Sequence, residues 1–224
     1  MNDVSFASRG NGVSVVWWVA FVASGLAYIA LRGAIPVQWG WLVKIIPIAL
    51  LLFRSLSEAR GKPRAFLAAG LLLSATGDVL LSLEGLFIPG LGAFLLAQLT
   101  YAALFLSQFR WRVSRLPWVV LVVGYVLACS VLVLPETGNL QWVITAYMVA
   151  ISLMALAAGF RNDRQFLWVA MGALVFMVSD TLIAVNTFVS PFPFADAAIM
   201  VTYYLAQALI VLGIIRHNRE KAGR

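Results

Sequence analysis

The stretch that decides the fold is PWVVLVVGYVLACSVLVL, residues 117–134, which contains no charged side chain. A helix over these residues, at 1.5 Å per residue, is about 27 Å long and matches the hydrocarbon thickness of a bilayer. The stretch therefore predicts a transmembrane helix.

The composition of the whole chain extends this prediction beyond one stretch. Hydrophobic residues make up 62% of the 224 residues and charged residues 11%, against about 45–50% and about 25% in ordinary soluble domains. A soluble domain of this size lacks the polar surface to cover so large an apolar core. At about 20 residues per span, the chain has room for about eight spans. We predict an all-α, polytopic membrane protein.

Seven further apolar runs lie on both sides of this stretch and complete an eight-transmembrane-helix bundle. We predict a single integral membrane domain over residues 1–224, with the spans at 13–31, 38–53, 65–83, 90–108, 117–134, 141–159, 166–185 and 197–215. The first run is too long for the apolar region of a signal peptide, which favours a retained helix. The second run contains Lys44 and Pro47, which predicts a kinked helix surrounded by protein.

The basic residues indicate the orientation of the bundle. They lie in short clusters between the apolar runs, without the aromatic stripe that would favour a nucleic-acid partner. If the N-terminus is cytoplasmic, fourteen of the sixteen Lys and Arg residues fall on the cytoplasmic side, with Arg32 opposite and Lys44 inside a span. This bias predicts that both termini are cytoplasmic. The short loops favour the bacterial cell (inner) membrane.

Three charged residues lie inside the predicted spans, namely Lys44, Asp78 and Asp180. Each costs about 2.5–3.5 kcal/mol to insert, so each needs a partner, a hydrated cavity or a function. From their positions in the spans, all three lie roughly 8–10 Å below the outer boundary. We expect the three side chains to converge on one site.

Polar residues on the same and neighbouring spans extend this candidate site. The candidates for substrate binding or charge stabilisation are Lys44, Ser74, Gln98, Tyr101, Ser179, Tyr203, Tyr204 and Gln207. Structural roles remain open for several of them. Lys44 and one Asp could form an ion pair that fixes packing, the glutamines could join helices by hydrogen bonds, and the tyrosines could serve packing alone.

The scarcity of cysteine and histidine limits the chemistry further. A single cysteine, Cys129, excludes a disulfide framework within the chain. The single histidine, His217, follows the last apolar run in a basic segment. A Ser-His-Asp triad in the membrane and a histidine-rich zinc site are therefore excluded. We expect no metal and no cofactor.

A short internal repeat relates two pairs of spans. The segment Gly77-Asp78-Val79-Leu80-Leu81 is similar to Ser179-Asp180-Thr181-Leu182-Ile183, and the span after each contains Leu-Ala-Gln, ending at Gln98 and Gln207. The repeat predicts two Asp–Gln hairpins arranged around one axis.

These motifs give the chain a resemblance to a known family. The Lys44…Pro47 span, the two Asp segments, Phe94–Tyr101 and Tyr203–Gln207 resemble the YhhN family, the group that includes the TMEM86-type lysoplasmalogenases. The resemblance extends from the first span to the eighth. One departure is Gln98, at a position where the family pattern often has histidine.

The resemblance implies a hydrolase that cleaves the vinyl-ether bond of a lysoplasmalogen to a fatty aldehyde and a glycerophospho-head group. The implied partners are a lysophospholipid substrate and membrane lipid. Asp78 and Asp180 would then be the catalytic residues, one as acid and one as base, because vinyl-ether cleavage needs a proton donor and a group that activates water. The residues alone do not decide which Asp has which role.

Two other classes of function remain open at this point. A small transporter or lipid flippase could use the buried Asp and Lys groups as a relay, and the repeat favours that class. A membrane scaffold could use the same charges only to fix packing. Convergence of the three charged side chains on a cavity would favour the hydrolase.

Overall fold

The computed structural model describes residues 5–222, with side chains described for residues 15–36 and 39–222. The side chains of Arg9 and Arg224, which contribute to the predicted orientation, lie outside the described part. The described chain forms nine α-helices: α1 (Ser5–Leu31), α2 (Val37–Lys44), α3 (Ile46–Glu58), α4 (Gly61–Leu81), α5 (Phe87–Leu106), α6 (Leu116–Val133), α7 (Gln141–Gly159), α8 (Phe166–Ala184) and α9 (Ala195–Ala222).

Seven helical segments of the described chain are long and apolar enough to cross a membrane. The segment Trp39–Glu58 combines α2 and α3, and the other six correspond to α4–α9. A shorter apolar helix, Val15–Leu31, precedes them. The all-α prediction is confirmed: residues 5–222 contain no strand, only an isolated bridge between Phe109 and Arg161.

The helix bounds follow the predicted spans closely in the middle of the chain. From α4 to α8 the observed ends lie within four residues of the predicted ones. Larger differences are at the two ends of the bundle, where α1 begins at Ser5 instead of near residue 13 and α9 continues to Ala222 instead of ending near residue 215. The basic segment that contains His217 is therefore part of this helix.

The predicted kink in the second span is present as a break between α2 and α3. Ile45 separates the two helices, with φ −83° and ψ −10°. Pro47 has no amide hydrogen to donate to the Val43 carbonyl, and its ring disfavours a continuous helix. The Lys44 carbonyl beside the break accepts a hydrogen bond of 2.7 Å from the Tyr204 hydroxyl of α9.

Two hairpins, α4–α5 and α8–α9, form the centre of the bundle, and glycines allow their helices to approach closely. A Cβ on Gly70 would lie 2.4 Å from the Tyr101 ring, and one on Gly77 would lie 2.5 Å from the Phe94 ring. In the other hairpin, a Cβ on Gly172 would lie 3.0 Å from the Ala206 carbonyl oxygen. Small residues at such contacts are typical of membrane helix packing.

Helix α6 lies at the edge of the bundle and is attached unevenly. Its only buried residues are Val122 and Val133. At its cytoplasmic-side end by the predicted orientation, the Trp118 indole donates a hydrogen bond of 3.0 Å to the Ala155 carbonyl of α7. The ring packs so closely on Gly159 that a Cβ there would lie 2.1 Å from it. The α6–α7 contact is therefore tight at this end.

The same side of the bundle contains an ion pair between Arg161 and Asp163, in the connection from α7 to α8. Arg161 Nη2 lies 2.6 Å from Asp163 Oδ2, and both side chains are almost fully buried. Arg115 donates hydrogen bonds to the carbonyl oxygens of Gly159 and Arg161. Burial lowers the pKa of the Arg161 guanidinium, and Asp163 opposes this shift. These contacts hold two helix connections together.

Candidate active site

The first centre of the site is the ion pair between Lys44 and Asp78. Lys44 Nζ lies 3.2 Å from Asp78 Oδ1, and the two side chains are 13% and 3% exposed. The break after Lys44 and the Asp78 position on α4 bring the two groups together, although 34 residues separate them in sequence. The other carboxylate oxygen, Oδ2, is buried and has no hydrogen-bond partner.

The second centre is Asp180 on α8. Its Oδ2 atom accepts a hydrogen bond of 2.8 Å from Gln98 Nε2 of α5 and one of 2.7 Å from the Tyr147 hydroxyl of α7. None of the ion pairs found among residues 15–36 and 39–222 includes Asp180. Two neutral donors, rather than a cation, therefore hold this carboxyl group.

Asp180 opens onto a cavity of about 60 Å³ between α5, α6, α7 and α8. Most of its wall is apolar, with leucine, isoleucine, valine, methionine and phenylalanine side chains from all four helices. The polar groups on the wall are Asp180 and the side chains of Tyr125, Cys129, Tyr147 and Thr181. Both hydrogen bonds to Asp180 are made by Oδ2, which leaves Oδ1 free for a molecule in the cavity.

Phe94 lies between the two centres. Its ring forms part of the cavity wall, packs against Gly77 beside Asp78, and meets the Tyr203 ring at 5.8 Å between centroids. The Tyr203 hydroxyl is buried beside Asp78 and, like Asp78 Oδ2, has no hydrogen-bond partner. The structure thus places Lys44, Asp78 and Asp180 at two neighbouring centres on either side of Phe94, and of the three only Asp180 lines the cavity.

A fully buried hydrogen-bond network continues from the centres into the bundle. The Tyr101 hydroxyl donates to Gln207 Oε1 over 2.8 Å, and Gln207 Nε2 donates to Ser74 Oγ over 2.9 Å. All three side chains have no exposed surface. Ser74 lies one turn below Asp78 on α4, so this network supports the helices that carry the first centre.

The two hairpins therefore exchange hydrogen bonds across the bundle. Gln98 of the first hairpin bonds Asp180 of the second, whereas Gln207 of the second bonds Ser74 rather than Asp78. Neither Gln bonds the Asp of its own hairpin, and the Gln98–Asp180 bond joins the two predicted Asp–Gln hairpins to each other.

Two of the predicted site residues serve the surrounding helices instead. The Ser179 hydroxyl donates to the Ile199 carbonyl of α9 over 3.1 Å and so joins α8 to α9. Tyr204 bonds the Lys44 backbone, which positions the lysine without contact to either carboxyl group. Both residues act on the packing of the site.

Four polar residues of the cavity were not among the predicted site residues, namely Tyr125, Cys129, Tyr147 and Thr181. The Tyr125 hydroxyl donates to Thr181 Oγ1 over 2.9 Å, and Cys129 Sγ lies 3.6 Å from the same atom. Thr181 could have been predicted as a site residue, because it directly follows Asp180 in the sequence. Tyr147 had no such signal, because a tyrosine in an apolar run is more often a packing residue.

The described residues contain no group of three or more His, Cys, Asp or Glu side chains that could hold a metal ion. The expectation of no cofactor remains a prediction.

Comparison with known proteins gives consistent matches over most of the chain. The YhhN family model matches residues 39–214. The lysoplasmalogenase TMEM86B of Sus scrofa is 35% identical over 195 residues, which cover 83% of this chain and 80% of that protein. The human protein of the same name is 33% identical over 205 residues, 89% of this chain and 87% of that protein.

A bacterial relative shows the same similarity. The lysoplasmalogenase of Mycobacterium bovis is 34% identical over 172 residues, which cover 73% of this chain and 66% of that protein. No solved structure matches the chain. The matched region contains both carboxyl centres and the helices that hold them, from the lysine of α2 to the glutamine of α9, and on this evidence the chain belongs to the YhhN family.

Proposed function

We propose that this protein is an intramembrane hydrolase that cleaves the vinyl-ether bond of lysoplasmalogens by carboxylate acid/base catalysis. The observation that carries the proposal is the difference between the two carboxyl groups. Asp180 opens onto an apolar cavity and is held by neutral donors, whereas Asp78 is paired with Lys44. The names of the relatives support the same substrate class.

Asp180 is the proton donor in this proposal. An ionised carboxylate in an apolar cavity without a cation is costly, which favours the neutral acid. Its Oδ2 atom, as the carbonyl oxygen of that acid, accepts the hydrogen bonds from Gln98 and Tyr147. The acidic proton is then on Oδ1, which is directed to the substrate.

Asp78 is the base in this proposal. Lys44 in the bilayer would be an uncompensated ammonium without an ionised partner, so the pair is held as ammonium and carboxylate. The unpartnered Oδ2 of Asp78 and the neighbouring Tyr203 hydroxyl are buried behind the Phe94 ring, so in this proposal the ring moves to admit the water molecule that they orient. A negative charge at this position also stabilises a developing cation.

The chemical steps balance with these two groups and one water molecule. Asp180 transfers its proton to the alkenyl carbon remote from the ether oxygen, which gives an oxocarbenium ion. Water adds to the carbon beside the oxygen and gives a proton to Asp78. The hemiacetal collapses as Asp78 returns that proton to the glycerol oxygen and Asp180 takes the hydroxyl proton. The products are a fatty aldehyde and the glycerophospho-head group, with both carboxyl groups restored.

We further propose an eight-span topology with both termini cytoplasmic, in a bacterial cell membrane. The distribution of Lys and Arg supports this orientation. Both carboxyl centres then lie on the outer side of the midplane, near the head groups of the outer leaflet. A lysophospholipid in that leaflet has its linkage between chain and glycerol at a similar depth.

The test uses purified protein in detergent with an alkenyl lysophospholipid, and measures aldehyde release. We expect Asp180→Asn and Asp78→Asn each to lower kcat by a factor of about 10²–10⁴, because each removes one proton-transfer group. Ser179→Ala is the matched control, since Ser179 adjoins Asp180 but bonds only a backbone carbonyl. It should retain more than about a third of the activity.

Two outcomes would contradict the proposal. Full activity in both folded Asp variants would show that the carboxyl groups are not catalytic. No aldehyde release from the wild type, together with uptake of lipid or ions in proteoliposomes, would favour the transporter instead.

A further inference from the structure

A second opening lies directly beside the Asp180 cavity, on the membrane-facing side of α6 and α7. This opening, the α6–α7 groove, has a volume of about 210 Å³ and is lined by Val126, Ser130, Leu134, Thr145, Met148, Val149, Ser152 and Leu153. Val126 and Met148 also line the Asp180 cavity. These two side chains therefore form the partition between the cavity and the lipid phase.

The groove is elongated along the axes of α6 and α7. Its lining residues lie within two segments of nine residues each, 126–134 at the end of α6 and 145–153 on α7. This corresponds to about 12 Å along the helix axis. Because α6 and α7 are antiparallel, the end near Leu134 and Thr145 lies on the proposed outer side, and the end near Val126 and Leu153 lies towards the midplane.

The groove presents an apolar surface despite its three hydroxyl side chains. Ser130, Thr145 and Ser152 each donate to a backbone carbonyl of their own helix, at Leu127, Gln141 and Met148 respectively. Their hydrogen-bonding needs are met without a partner in the groove. Val149 and Leu153 on its rim are about half exposed, as expected for side chains that contact lipid.

Below the groove α6 and α7 are in direct contact, whereas along the groove the two helices are separated. Trp118 bonds the Ala155 carbonyl and packs on Gly159 at the closed end. The groove is lined by residues 126–134 and 145–153, and no third helix of the described chain contributes to its lining. A chain in the groove therefore has a fixed lower boundary and an open side towards the membrane.

We propose that the α6–α7 groove holds the single hydrocarbon chain of the substrate, which passes from the Asp180 cavity into the groove between Val126 and Met148. The occupant is one alkenyl chain of a lysophospholipid, because the groove joins the cavity of Asp180 and runs parallel to the lipid chains. This inference rests on the proposed function, and it assigns the specificity for chain length to α6 and α7.

The first test does not depend on catalysis. A saturated alkyl-ether lysophosphatidylcholine with a diazirine near the end of its chain has no vinyl ether to cleave, and it can be photocrosslinked to the protein in detergent. Crosslinks that an excess of unlabelled analogue competes away should map to residues 126–134 and 145–153. Competed crosslinks confined to other helices, or none at all, would overturn the proposal.

The second test measures chain selectivity in Val126→Trp. We expect the ratio of kcat/KM for a hexadecenyl substrate to that for a butenyl substrate to fall by at least about tenfold, since the indole blocks the path that only the long chain needs. Val120→Trp is the matched control, because Val120 is a lipid-exposed valine of the same helix outside the groove. An equal ratio in both folded variants would contradict the proposal.

The two tests separate this inference from the proposed function. If competed crosslinks map to the groove but the wild type releases no aldehyde, the groove binds lipid and the proposal of a hydrolase is wrong. Aldehyde release with competed crosslinks elsewhere would retain the hydrolase and overturn the groove.

Discussion

Lys44 and Asp78 depend on each other at the level of single side chains. Each group alone would be a buried, uncompensated charge, whereas the 3.2 Å pair satisfies both. The neighbouring Asp180 is stabilised differently, by Gln98 and Tyr147. Two identical carboxyl groups therefore have different surroundings, one ionic and one neutral.

The mutual dependence of the ion pair gives a stability prediction. Lys44→Met removes the cation and leaves Asp78 buried without it, so we expect the free energy of unfolding to fall by about 3–5 kcal/mol. In Lys44→Met/Asp78→Asn the uncompensated charge is also gone, and the double variant should be more stable than Lys44→Met. Thermal unfolding in detergent measures both. A double variant less stable than the single one would contradict the interpretation.

The identities of the charged site residues could be predicted from the sequence, but their partners could not. Charge is so costly in a bilayer that Lys44, Asp78 and Asp180 are conspicuous in apolar spans. Tyr147 gives no comparable signal, and nothing in the sequence tells which helix faces Gln207. These contacts depend on the rotation of each helix about its axis, which the weak amphipathic pattern of a membrane span does not define.

At the level of elements, the break between α2 and α3 and the uneven attachment of α6 position the two centres. Pro47 made the break predictable in outline, because proline disrupts a helix in a known way. The α6–α7 groove was not predictable from the sequence, because the close contact between Trp118 and Gly159 below it depends on how the side chains pack. The ends of the helices lie close to the ends of the hydrophobic runs in the sequence. The cavities between the helices depend instead on how the side chains pack.

The close contact between Trp118 and Gly159 can be tested with a single methyl group. Gly159→Ala places a Cβ 2.1 Å from an indole ring that its hydrogen bond to Ala155 holds in place. We expect a loss of about 1–3 kcal/mol from this overpacking.

Gly124→Ala is the control for this substitution, because it adds the same methyl group to α6 where no other helix lies within 4 Å. Alanine has the higher helix propensity, so this variant should be unchanged or more stable by up to about 1 kcal/mol. Denaturation midpoints in the same detergent give the comparison. Equal losses in both variants would show that the Trp118 contact does not hold the helices together.

In the whole molecule, the positions of the charged residues indicate both where the candidate site lies and how the bundle is oriented in the membrane. The loops on one side contain most of the Lys and Arg residues, and the spans contain almost none. Composition therefore predicted a multi-pass helical protein with little ambiguity.

The proposed orientation predicts opposite labelling of two loops. In a Cys129→Ala background, we expect Asn139→Cys, in the exposed connection between α6 and α7, to react with a membrane-impermeant maleimide in intact cells. Ser114→Cys, in the exposed connection between α5 and α6, should react only after permeabilisation. The reverse pattern would place the carboxyl centres on the cytoplasmic side of the midplane.

The exchange of hydrogen bonds between the two hairpins has a consequence for biogenesis. Gln98 and Ser74 enter the membrane early in synthesis, but their partners Asp180 and Gln207 follow roughly a hundred residues later. Until the last hairpin arrives, the nascent bundle contains polar groups without their final partners. A chain that stops before α8 would therefore leave Gln98 and Ser74 in the membrane without these partners, and the two hairpins gain their shared hydrogen bonds only when the last helices have been inserted.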